Sequence, residues 1–90
     1  MSDKPTGAGS DGMPFAELWE RPGLSRRGRS LITVATLVAL QRTDELAVYL
    51  KRAVDDGVSR DELIELFTHL AFYVGWPAAS TAVAIARRIV

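Results

Sequence analysis

The stretch Arg26–Arg42 constrains this chain more than any other. Its middle, LITVATLVAL (residues 31–40), is apolar on nearly every side of a helix. A helix that is apolar all round is buried all round. The chain has 90 residues, enough for one small domain with a marginal core. Such a domain can hardly cover that helix alone. Hydrophobic residues make up 48% of the chain, and 11 Lys+Arg balance 11 Asp+Glu, so the formal net charge is zero. Charge therefore does nothing to keep copies apart, and the expectation is an oligomer of small helical subunits.

The same neutral balance argues against nucleic acid as a partner, because phosphate binding needs a basic excess. There is no cysteine, which excludes disulfides, thiolate metal sites and thiol redox chemistry. Residues 31–40 are too short a run to cross a bilayer. The N-terminus has one lysine and no apolar signal core, so a cytoplasmic location without membrane attachment is expected.

Along the chain, residues 1–13 (MSDKPTGAGSDGM) offer almost nothing to bury and are expected to form a disordered tail. Residues 14–90 are expected to form the domain. In PFAELWERPGL, Phe15, Leu18 and Trp19 have helical spacing and Pro22-Gly23 stops the turn. Ser25 is expected to cap the helix from about Arg26 to Arg42. Thr43 is expected to cap the next, with Asp44 and Glu45 in its first turn where the helix dipole favours them. The apolar stripe there is Leu46, Tyr49, Leu50, Ala53 and Val54, and Gly57 suits the position just past the end. Ser59-Arg60-Asp61-Glu62 is a capping box. It opens a helix that Gly75 ends, and Pro77 suits the first turn of an Ala-rich last helix. The fold class is therefore all-α, a small helical bundle with short connections.

FTHLAFYVGWP holds the single histidine, His69. At about 100° per residue, Leu63, Leu66, Phe67, Leu70 and Val74 share one side of this helix. Glu62, Glu65, His69, Phe72 and Tyr73 fall on the other. A solvated face would carry only polar residues, so this mixed face is expected to meet another subunit, a pocket, or both. Glu65, His69 and Tyr73 lie four apart and can form a line. A carboxylate beside a partly desolvated imidazole makes a general acid or base. The competing reading is an interface histidine bonded to Glu65. Tyr73 and Trp76 read equally as packing residues, and the pairs Arg26-Arg27 and Arg87-Arg88 as solvated helix ends. One histidine with carboxylates four and seven residues earlier does not make a persuasive metal site. There is no Gly-rich phosphate loop and no Ser-His-Asp or Cys-His pattern.

LWERPGLSRRGRSLITVATLVAL, LKRAVDDGVSRDELIEL and THLAFYVGWPAASTAVAIA resemble the carboxymuconolactone decarboxylase family from about Trp19 to the C-terminus. The W-x-R-P-G-L-S and T-H-L-A-F-Y-x-G-W-P-A segments carry most of that resemblance. It implies an all-α subunit of the alkylhydroperoxidase D-like type, assembled as a trimer or hexamer with sites near subunit interfaces. The peroxidase-like branch of the family carries C-x-x-C-x-x-x-H with an upstream glutamate. Aligned through YLKRAV, those positions fall on Arg42, Glu45 and Tyr49, with Ser30 at the glutamate. No relay residue survives, so thiol peroxidase activity is not expected. The decarboxylase branch usually keeps a histidine where this chain has Tyr49.

The namesake reaction releases carbon dioxide from a carboxylated lactone without a cofactor. It needs a cation or donor for the acid groups, an apolar wall, and an acid for the carbon left behind. The resemblance and the helix geometry together nominate His69, Tyr49 and Glu45 as catalytic residues. Arg29, Arg42, Glu65, Phe72, Tyr73 and Trp76 are nominated for substrate binding, with no metal and no cofactor. Two alternatives stand beside this: a lyase or isomerase of a biosynthetic or aromatic-degradation pathway, and a non-catalytic oligomeric protein on the same scaffold.

Overall fold

The computed structural model describes residues 14–90; the expected tail, residues 1–13, lies outside them. Five helices follow in order: α1 (Phe15–Glu20), α2 (Arg26–Ala39), α3 (Thr43–Asp55), α4 (Arg60–Val74) and α5 (Trp76–Ile89). No strand occurs among the described residues, and the all-α expectation holds. α2 packs on α3 and α4 on α5; α3 also meets α5, and α1 lies against α2.

Local chemistry sets most of the helix ends. Ser25 Oγ accepts a hydrogen bond from the Gly28 N–H at 2.9 Å, which satisfies an amide that α2 leaves open. The capping box of α4 is complete. The Ser59 N–H donates to Glu62 Oε1 at 2.9 Å, and the Glu62 N–H donates to Ser59 Oγ at 3.1 Å. Gly75 closes α4 and opens α5 with φ 95° and ψ 151°, a conformation reserved in practice for glycine. Pro77 sits in the first turn of α5, where its missing N–H costs nothing.

Two expected helix ends are corrected. α2 stops at Ala39, not Arg42, because Gln41 takes a positive φ of 57° and turns the chain. Thr43 is not a cap: it is the first helical residue of α3. Arg42 holds the cap position and makes no side-chain cap bond, so α3 starts without that aid.

The core joins Val34 and Val38 of α2, Leu46, Leu50 and Ala53 of α3, Leu63 and Phe67 of α4, and Ala82, Ile85 and Ala86 of α5. Each fully buried Leu or Phe contributes about 1.5–3 kcal/mol, and the alanines of α5 let it lie close to its neighbours. α2 is not buried all round. Its covered stripe is Ser30, Val34 and Val38, while Ile32 and Leu40 are 53% and 61% exposed. One chain supplies helices against a single side of α2. In the α3 stripe Val54 is likewise exposed and Tyr49 half-buried. In α1 only Trp19 is buried, while Phe15 and Leu18 are exposed.

Candidate active site

α4 turns two faces outward and inward as its spacing requires. Leu63, Phe67 and Ala71 are buried. Glu62, Glu65, His69, Phe72 and Tyr73 are all exposed, so the mixed face lies outside the subunit core. The His69 and Tyr73 rings are 5.1 Å apart at 29°, a stacked pair one turn apart. No hydrogen bond joins His69 to Glu65 among the described residues. The expected line thus reduces to an imidazole on a phenol, with a carboxylate nearby on the same face.

His69 lines an open groove of about 520 Å³ between α2 and α4. The floor is apolar: Leu31 and Ala35 from α2, Leu66 and Leu70 from α4. The rim is charged, with Arg27 from α2 and Glu62 and Glu65 from α4. Arg27 and Glu62 form an ion pair across the two helix N-termini. The Ser59 backbone N–H, followed by the Arg27 side chain, holds the Glu62 carboxyl below its ordinary range. An apolar trough with a cation and an imidazole on its walls can take a ring that carries an acid group.

The remaining candidates gather elsewhere, around α1. The Tyr49 ring of α3 lies 6.2 Å from the Trp19 ring at 14°, and the Arg52 guanidinium stands 3.9 Å over the Trp19 ring. Arg52 also faces Asp56 at 3.9 Å. The Asp56 carboxylate accepts a 2.7 Å hydrogen bond from the Ser30 hydroxyl. This chain of contacts clasps α1 to α3 and fixes the Tyr49 ring. Arg29 donates to the Arg21 carbonyl at the end of α1, 3.1 Å away. Both Trp19 Nε1 and Arg29 Nε are buried and meet no protein acceptor. Arg42 is taken up by Glu45 through contacts of 2.7 and 3.2 Å on the exposed surface.

His69 and Tyr49 therefore belong to different places in one chain. Tyr49, Glu45, Arg29 and Arg42 do not line the His69 groove. Neither does Trp76, which sits at a separate cavity between α4 and α5, with its ring 5.9 Å from Phe72 at 62°. Three residues of these sites are not among those the sequence nominates. Arg27 reads from its neighbours as a solvated helix end, and nothing local shows that it faces the start of α4. The other two are Arg52 and Asp56: Tyr49 and Arg52 of α3 and Asp56 just past its end recur at three- and four-residue steps, the spacing of one helix face. Among the described residues no three His, Asp or Glu side chains come together as a cation site, and no helix is long and apolar enough to cross a membrane.

These features define a small all-α domain with an imidazole and a guanidinium on the walls of an open, apolar-floored groove. The chain belongs to the carboxymuconolactone decarboxylase family, whose sequence profile matches residues 6–88. Lacking cysteine, it falls in the branch without redox thiols. It is 45% identical over 75 residues to a 4-carboxymuconolactone decarboxylase of Acinetobacter baylyi, covering 83% of this chain and 56% of that protein. It is 32% identical over 76 residues to a nitrosuccinic acid decarboxylase of Metarhizium robertsii, covering 84% of this chain and 53% of that one. The chain thus spans about half the length of the curated relatives it matches.

Proposed function

We propose that this chain acts as a cofactor-free decarboxylase on a small carboxylated lactone or related cyclic acid, with the α2/α4 groove as its site. The observation that carries this reading is the position of His69. It is a lone imidazole on the wall of an apolar trough, with Arg27 on the same rim, in a chain whose relatives are named as decarboxylases. Arg27 binds an acid group of the substrate in competition with Glu62. Leu31, Leu66 and Leu70 form the apolar wall that strips water from the carboxylate about to leave. The carbon–carbon bond to that carboxylate breaks, and carbon dioxide departs. The electron pair stays with the ring carbon until His69 delivers a proton. Tyr73, stacked on His69, orients the imidazole, and Glu65 returns charge balance at the rim. Phe72 continues the apolar face.

The groove is open on one side. Self-association as a homotrimer or homohexamer, covering Ile32 and the aromatic face of α4, supplies the missing cover. A cytoplasmic place in the breakdown of aromatic compounds fits such a substrate.

A second reading has one observation in its favour. Tyr49 stands where the family resemblance puts a histidine, and its ring is fixed against Trp19. There the phenol transfers the proton, Arg29 and Arg42 hold the acid groups, and Glu45 orients them. Carbon dioxide release from 4-carboxymuconolactone tests both readings. Wild-type turnover that falls at least a hundredfold in His69→Gln and little in Tyr49→Phe supports the groove. The reverse pattern moves the site to α1/α3. No turnover of any carboxylated lactone leaves a non-catalytic member of the family.

A further inference from the structure

The cavity at Trp76 shares no lining residue with the His69 groove, and nothing in the proposed reaction uses it. Its volume is about 270 Å³, just under the range of pockets that take drug-sized molecules. Phe67 and Ala79, 0% and 2% exposed, form its floor, and Thr68, Trp76, Ser80, Ala84 and Arg87 form an exposed rim. Val83 and Ala84 of α5 continue the apolar lining. Trp76 stands at the edge, 58% exposed, braced by Phe72.

The polar groups are few, and none is acidic. Thr68 has spent its hydroxyl on the Ile64 carbonyl at 2.9 Å. The Ser80 hydroxyl has no hydrogen-bond partner among the described residues. Arg87 forms no ion pair among them. No acidic side chain lines the cavity. The cavity therefore presents one guanidinium and one hydroxyl over a hydrocarbon and aromatic surface.

We infer that this cavity is a second binding site, taking a monocarboxylate with a single apolar ring. One guanidinium matches one carboxylate, in the paired-bond geometry that arginine favours. A dianion would bring a second charge against the apolar lining with nothing to answer it. The ring lies on Phe67 beneath Trp76, and Ser80 donates to a remaining lone pair of one carboxylate oxygen. This site is independent of the decarboxylase reading, since it needs neither His69 nor Tyr49.

Benzoate titrated into the full chain tests the inference, by calorimetry and by tryptophan fluorescence. The expected result is saturable binding with Kd on the order of 1 mM, the scale for a ligand of this size. It is accompanied by a change in Trp76 emission. Arg87→Gln weakens binding at least tenfold. Trp76→Phe removes the optical change while calorimetry still reads heat. Trp19→Phe leaves the benzoate affinity as it is, and His69→Gln leaves the benzoate-dependent change in Trp76 emission as it is. Benzamide, the same shape without charge, binds at least tenfold more weakly. Three results overturn the inference: no saturation at ten times the expected Kd, equal affinity for benzamide, or an affinity that depends on His69 and not on Arg87.

Discussion

Arg27, in the first turn of α2, is ion-paired with Glu62, in the first turn of α4. Glu62 does a second task at the same moment, accepting the Ser59 backbone N–H that begins its own helix. One carboxylate thus closes a cap, ties two helices together and sets the charge at the mouth of the groove. The pair is exposed, so its contribution to stability is small.

The pH dependence follows from the direction of the shift. The Glu62 carboxyl is held below its ordinary range in the fold. Its contribution is therefore fully present above the unfolded value, and is lost as pH falls through the lower folded value. Glu62→Gln keeps an acceptor for Ser59 but removes the charge. Thermal unfolding across pH is expected to show the variant slightly less stable at neutral pH, with the gap closing in acid. A gap that widens in acid contradicts the assignment.

Trp19 decides whether α1 stays on the bundle. It is the one buried residue of that helix and the meeting point of Tyr49 and Arg52. Trp19→Ala is expected to cost about 3–5 kcal/mol, and Arg52→Ala about 0.5–2 kcal/mol through the lost cation–ring contact. Urea unfolding measures both. Because Trp76 is exposed and Trp19 buried, the emission of a Trp76→Phe background reports α1 alone.

Gly75 carries the junction of α4 and α5 in a conformation that side chains avoid. Gly75→Ala is expected to destabilise by about 1–3 kcal/mol with little change in helix content. Circular dichroism and urea unfolding check it together.

Ile32 tests self-association. It is 53% exposed on the uncovered side of α2. Sedimentation of the wild-type chain is expected to show an assembly, and Ile32→Asp a monomer or a much weaker assembly. A monomeric wild type contradicts the proposed cover of the groove.

The helices were legible because their ends are written locally. Ser25, the Ser59/Glu62 box, Gly57, Gly75 and Pro77 each act within one turn of themselves. Thr43 misled because a capping residue type also fits inside a helix, and the positive φ at Gln41 leaves no sign in a run of good helix formers. The outward place of His69 was legible from α4 alone, since periodicity sorts faces. What α4 faces was not. That Arg27 meets Glu62, 35 positions along, and that Tyr49 turns to Trp19 instead of His69, depend on how helices distant in sequence pack. The all-round apolar pattern of α2 reports the cover that helix needs, whereas one chain gives it a single covered stripe.

In the proposed reaction His69 lines the site at which the acid is bound. It is the one histidine of the chain, so its ring signals in an NMR spectrum need no assignment against others. Adding 4-carboxymuconolactone, or a stable analogue of it, to the wild-type chain is predicted to shift those signals saturably. The shift should be lost when Arg27 is replaced by Gln. Ring signals of His69 that stay still while those of Tyr49 move would rule out the groove and place the site against α1.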